Sequence, residues 1–197
     1  MRNKQVTGFC TPQTGRMRGI TLVETLVVVS ILGILAAIAV PSFQSTIETN
    51  RRQTSANQLF EDLAFARSEA IKRGVRVVVC PHTTGAQCNA TNDWSSGWMV
   101  YVDANNDGES QGTETTLRVH EALSLPAGWA AIDNNSVKYI SFSPLGSIQF
   151  PGGGFMALTI CFLPSGTTCT YAPPATVSRY TNIIISAPGR VRIASKG

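Results

Sequence analysis

The chain has 197 residues, 43% hydrophobic and 14% charged, with 16 bases against 12 acids. Its formal charge of +4 is carried by Arg2, Lys4, Arg16 and Arg18 in the first 19 residues. The remainder is near neutral, which excludes a polyanion binder that works by bulk charge, and its length suits one domain with its own core.

The first 19 residues end in Gly19 and contain no acid. Ile20 to Val40 follows, 21 residues in which only Glu24 is ionisable. As a helix this segment reaches roughly 31 Å, the thickness of a bilayer's hydrocarbon core. Basic residues before the span keep that end in the cytoplasm and place the rest outside. A secretory signal peptide has its processing site after the apolar run, whereas this glycine precedes it. A carboxylate at the depth of Glu24 costs about 2.5 to 3.5 kcal/mol unless it finds a partner.

The order Gly19-Ile20-Thr21-Leu22-Val23-Glu24 resembles the type IV pilin signature. The resemblance implies a leader, residues 1–19, cut after Gly19 by a prepilin peptidase, which also N-methylates Ile20. Ile20 replaces the commoner Phe. It further implies that Glu24 pairs with the N-terminal amine of a neighbouring subunit, and that residues 20–40 form a transmembrane and assembly helix. The expected location is the inner membrane, in a single pass with the C-terminal domain periplasmic, and then a pilus or pseudopilus.

Pro41 is expected to bend the helix without ending it, because the pattern resumes from Ser42 to Arg73. Ala56, Leu59, Phe60, Leu63, Ala64, Ala70 and Ile71 fall on or near one stripe, with Arg52, Glu61, Asp62, Glu69 and Arg73 largely elsewhere. Gly74 is the natural stop, so an amphipathic helix is assigned to residues 41–74.

From residue 75 to 197 the texture is β-rich. Strands are expected at Val75–Cys80, Gly97–Val102, Thr115–His120, Val137–Phe142, Gly146–Phe150, Met156–Leu163, Asn182–Ala187 and Arg190–Ala194. Cys10 belongs to the leader, and Cys80, Cys88, Cys161 and Cys169 remain. Four cysteines allow three connectivities; the matched local spacings favour Cys80 with Cys88 and Cys161 with Cys169, with crossed pairing still open. Neither pair has zinc-type C-x2-4-C spacing.

The stretch from Asn92 to Asp103, with Trp94, Gly97 and Trp98 leading into an apolar strand and an acidic turn, resembles the GspH/FimT branch of minor pilins. The fold this implies is α+β and pilin-like: a long N-terminal helix, transmembrane in one half and amphipathic in the other, packed on a mainly antiparallel β-sheet domain. Trp94 and Trp98 are expected in the core.

Asp103, Asn105, Asp107, Gly108 and Glu114 match D-x-[DN]-x-[DN]-G-x5-E, the calcium loop of EF-hands. The flanks are strand-like rather than helical, and Ser110 stands where such loops carry an apolar residue. A weak calcium site and a plain Asn/Asp/Gly hairpin loop are the two readings; no other cofactor is expected. His82 and His120 accompany no catalytic motif, Gly152-Gly153-Gly154 lacks the Lys-Ser/Thr of a phosphate loop, and Asn89-Ala90-Thr91 is an uninformative sequon. No enzyme activity is expected.

Charge is unevenly spread. Between Val77 and Asp133 seven acids face Arg118 alone, and after Asp133 there is no acid but Lys138, Arg179, Arg190, Arg192 and Lys196. In Gly189-Arg190-Val191-Arg192-Ile193, strand alternation sends the two arginines to one face and Val191 and Ile193 to the other. Guanidinium groups suit phosphate because their planar donor fork contacts oxygens in pairs. The segment also resembles the Gly-Arg-x-Arg motif of FimT-type minor pilins, which implies DNA binding through Arg190 and Arg192, with Lys196 and Arg179 as further contacts, for uptake in natural transformation. The alternative is a structural minor pilin or type II secretion pseudopilin of the GspH kind that primes or caps the filament. Implied partners are other pilin or pseudopilin subunits, the peptidase and N-methylase, the lipid bilayer before assembly, and DNA.

Overall fold

Thr21 starts the first element. Its Oγ1 accepts the backbone N–H of Glu24 at 3.3 Å, and the Thr-x-x-Glu spacing is that of a capping box. Helix α1 then runs from Leu22 to Arg73, 52 residues, helical throughout at Pro41 and stopping at Gly74 as expected. The computed structural model describes residues 19–83, 87–89, 91–110, 113–149, 157–170 and 180–196. The leader before Gly19, the Gly152–Gly154 stretch and Arg179 lie outside the described residues.

The chain divides into two compact units, Met1–Phe43 and Gln44–Gly197. In the first, Leu26, Ile31, Leu35 and Ile38 are all more than half exposed. The helix is long and apolar enough there to cross a membrane, with a mean hydropathy of 2.6. Side chains of this kind exposed in a row need lipid or another apolar surface.

In the second unit Ala56, Leu59, Leu63, Ala66 and Ala70 recur at intervals of three and four, and all are fully buried. Among the described residues nine strands follow: β1 (Arg76–Pro81), β2 (Trp98–Asp103), β3 (Thr116–His120), β4 (Trp129–Asp133), β5 (Ile140–Phe142), β6 (Ile148–Gln149), β7 (Leu158–Pro164), β8 (Tyr180–Ile185) and β9 (Val191–Lys196). They form two sheets, β3-β2-β1-β5-β6 and β4-β7-β8-β9, and every pairing is antiparallel. One core joins the helix stripe to the inner faces of both sheets, through Val77, Val79, Trp98, Val100, Phe142, Ile160, Phe162, Ile183 and Ile185. Each such side chain contributes about 1.5 to 3 kcal/mol by leaving water.

The outer faces are covered separately. Cys80–Cys88 lies with Val78, Met99, Tyr101 and Tyr139 on the first sheet, and Cys161–Cys169 with Leu163, Ile132 and Tyr180 on the second. The locally spaced pairing is therefore the one formed.

The structure differs from expectation in two respects. Strand β4 is additional, and on the helix Ala64 and Ile71 are exposed while Arg52, Asp62 and Glu69 are buried. Each buried charge has company. The Arg52 guanidinium stacks over Trp129 at 4.4 Å, Asp62 accepts Trp98 Nε1 at 2.9 Å and Arg118 Nη1 at 2.7 Å, and Glu69 accepts Arg73 Nε at 2.6 Å. The Arg73 contact, first, and Lys72 hold the Glu69 carboxyl below its usual range.

Candidate functional site

The residues singled out from the sequence fall in three places. Gly19, Ile20 and Glu24 stand at the start of α1 in the first unit, with Ile20 exposed and Glu24 in the first helical turn. A carboxylate there complements the positive end of the helix dipole.

The second place is the β8–β9 hairpin. Within its turn Gly189 N donates to Ser186 O at 2.7 Å and Ser186 N to Arg190 O at 3.0 Å. Gly189 has a φ of +79°, and a Cβ at this position would overlap the carbonyl oxygen of Gly146 in the β5–β6 turn. Arg67 on α1 holds both turns, donating from Nε to Gly146 O at 2.9 Å and from Nη2 to Pro188 O at 3.2 Å. Ile148 N adds a bond to Ala187 O at 3.1 Å. The backbone leaving this clamp enters β9, the edge strand of its sheet.

Alternation along β9 follows the expected pattern. Val191 and Ile193 pack on the core, and Arg190 and Arg192 are exposed. Arg192 stands opposite Ile184 on β8, and Lys196 occupies the last position of β9 opposite Tyr180. Two guanidiniums two residues apart on an edge can engage successive anionic groups of an extended ligand. Arg67 carries no local signal of this role, because its carbonyl partners lie 79 and 121 residues away.

The third place is the loop after β2. Asp103, Asp107 and Glu114 come together, with ligand oxygens within 4.8 Å of one another. Asn105 does not join them as a carboxylate would; its amide Nδ2 donates to Asp107 Oδ2 at 2.7 Å. Trp94 and Trp98 are fully buried, as expected, and their indole N–H groups go to Asp133 Oδ2 at 3.4 Å and Asp62 Oδ2. His120 stacks on Trp98 at 4.0 Å between centroids, which accounts for that histidine without chemistry.

Comparison with known proteins agrees with this architecture. The family described as type II transport protein GspH matches residues 55–197, and the prokaryotic N-terminal methylation motif matches residues 15–40. Among solved structures, the type IV minor pilin FimU of Pseudomonas aeruginosa superposes with a TM-score of 0.55 at 21% identity, over 74% of this chain and 89% of that one. This is a likeness of fold. The minor pseudopilin EpsH of the Vibrio cholerae type II secretion system gives a TM-score of 0.46 at 11% identity, over 76% of this chain and 99% of that one. No curated protein matches the chain in sequence. The methylation motif and apolar helix imply membrane anchoring before assembly, a prepilin peptidase and other pilin subunits as partners. With a helix packed on two antiparallel sheets and the family match running from Ser55 to the last residue, the chain belongs to the GspH family and is a minor pilin or pseudopilin of a type IV pilus or type II secretion system.

Proposed function

We propose that this subunit binds DNA without sequence preference through Arg190 and Arg192, with Lys196 and Arg179 as further contacts, and serves DNA uptake in natural transformation. The observation that carries the reading is the clamped hairpin: two exposed arginines, Arg190 at the entry to an edge strand and Arg192 within it, after a turn fixed to the helix by Arg67. The absence of any acid after Asp133 supports it, because no carboxylate from that third of the chain opposes a phosphate. Phosphate contacts position a ligand without reading bases, and the exposed part of β9 offers no aromatic platform for stacking.

Three phosphate contacts give a salt slope of about −2 to −3, so binding weakens roughly 20- to 40-fold between 50 and 200 mM salt. One copy therefore binds weakly. Replacing Arg190 and Arg192 by Ala together should abolish retention on duplex DNA of random sequence while leaving the melting temperature unchanged. Undiminished retention by the folded double variant would place the contact elsewhere or remove it.

Assembly rests on the N-terminal segment in the same reading. Cleavage follows Gly19, Ile20 carries the methyl group, Glu24 pairs with a neighbour's N-terminal amine, and the second unit faces the periplasm. This arrangement requires no catalysis by the chain itself. A purely structural role in priming or capping a filament is the second reading. It is favoured by Leu145, which is 89% exposed at the β5–β6 turn next to the clamp. The DNA retention assay separates the two.

A further inference from the structure

We propose that the loop leaving β2 is a calcium site, with Asp103, Asp107 and Glu114 as its carboxylate ligands. The three side chains bring ligand oxygens within 4.8 Å of one another, although Glu114 is separated from Asp103 by the whole loop. Clustered acids alone would carry little weight, since exposed carboxylates gather readily on loops. Asp103 is different.

Asp103 ends β2 on the outer face of its sheet and is fully buried. Its Oδ2 accepts Gly108 N at 3.1 Å and faces Arg76 Nη1 at 3.5 Å. Its Oδ1 is equally buried and has no hydrogen-bond partner. A buried carboxylate oxygen left in that state is costly, and an ion is the partner that its two acidic neighbours would share. Tyr101, one step back on the same face, has a buried hydroxyl that also lacks a partner.

The charge count selects a divalent ion. Three carboxylates face one guanidinium, that of Arg76, which is further engaged by Asn106 O and by Gln149 Oε1, each at 3.0 Å. Among the described residues the other facing groups are Glu109, which adds negative charge, and the phenols of Tyr101 and Tyr139. The three ligands and Arg76 alone sum to −2, which one divalent cation matches, and Glu109 leaves the surround negative. The donor set is all oxygen, which suits calcium or magnesium rather than zinc or copper.

Calcium is favoured over magnesium because Asp103, Asp107 and Glu114 stand at the first, fifth and twelfth positions that a calcium loop uses, a spread of carboxylates unlike the one or two with which magnesium is held. Gly108 at the sixth loop position has a φ of +75°, and a Cβ there would overlap the Tyr139 ring. The sharp turn that lets Asp107 and Asp103 approach is thus open to glycine alone.

The test uses the full chain in detergent, stripped of metal with a chelator, at about 150 mM salt to screen diffuse attraction. Calcium chloride alone is titrated calorimetrically and by thermal melting. One saturable site per chain is expected, with a Kd on the order of 10⁻⁴ to 10⁻³ M, typical of extracellular modules. The melting temperature should rise by about 3 to 6 °C at ten times that concentration. Magnesium at the same concentration should do less than a third as much.

Asp107→Asn changes an exposed side chain and Glu114→Gln a half-buried one, and both keep the shape of the residue replaced. Each should weaken calcium binding at least tenfold while the metal-free melting temperature holds. Asp103→Asn is the variant at risk of misfolding and is not needed. Absence of a saturable response up to about 10 mM calcium, tenfold above the weak limit for such modules, overturns the proposal. So does an equal response to magnesium that survives Glu114→Gln, which would mean ordinary counterion attraction to acidic surface.

Discussion

Gly189 packs so closely on Gly146 that any side chain at position 189 would occupy the space of the Gly146 carbonyl oxygen. The glycine that opens the Gly-Arg-x-Arg segment thus has a structural duty, seating the hairpin that presents the arginines. Gly189→Ala should cost about 2 kcal/mol or more, from the left-handed backbone and the overlap together. Gly166→Ala is the control, since Gly166 has a φ of +84° with nothing within 4 Å of its Cβ position. Its cost should stay at the backbone term of about 1 to 2 kcal/mol. Melting curves of the two variants measure the difference, and equal losses would mean that the close approach is unimportant.

Arg67→Met keeps much of the side chain's bulk and deletes both donors. A loss of about 1 to 3 kcal/mol is expected, since hydrogen bonds from a charged group are the stronger kind. Amide exchange at Gly189 should quicken by more than it does in the core of β7. If the 186–190 turn keeps its protection, the clamp is dispensable.

Asp62→Ala leaves the fully buried Trp98 indole N–H and the Arg118 guanidinium without their shared acceptor. Chemical denaturation should show a loss of about 2 to 3 kcal/mol. Asp62→Asn keeps an acceptor for Trp98 and should lose less. Identical losses would assign the effect to the charge rather than to the indole.

Glu24→Ala should leave membrane insertion intact, because removing a charge favours the bilayer. Incorporation into sheared filaments should fall at least tenfold. Membrane fractionation beside filament immunoblots reads both, and normal incorporation would remove the assembly role of Glu24.

Burial raises the Asp133 carboxyl above its ordinary range, against the pull of the Val137 and Asn135 N–H groups. The folded chain therefore holds this proton at a pH where the unfolded chain, with a pKa near 3.9, has released it. That contribution is present at low pH and is lost as pH rises through the folded value. Compared with Asp133→Asn, the native chain should gain relative stability between pH 7 and about pH 4.5. Paired melting curves at the two values check the sign; a constant gap would mean that Asp133 ionises normally.

Much of the fold is legible because its signals are local. Helix stop, disulfide spacing and most strand runs each depend on a few adjacent residues. Strand β4 is not legible: Trp129-Ala130-Ala131-Ile132-Asp133 has one β-branched residue, and five register pairs with β7 make it a strand. On the helix, Asp62 and Glu69 sit seven and fourteen residues after the buried Ser55, so their spacing points inward while their polarity points outward. Spacing wins because Trp98, Arg118 and Arg73 are available as partners, a fact that only the tertiary structure holds. In the same way the alternation of Arg190 and Arg192 is readable from the strand, whereas the clamp that aims them comes from distant turns.

The clamp also decides where the hairpin would yield under tension. A load applied at Arg190 enters at the closed end of β8–β9, where Arg67 ties the turn to α1, and not at the open end near Lys196, where a strand can unzip one bond at a time. Pulling at that point is borne by the helix backbone within the second unit, so the arginine hairpin is anchored like a hook rather than taped on like a label.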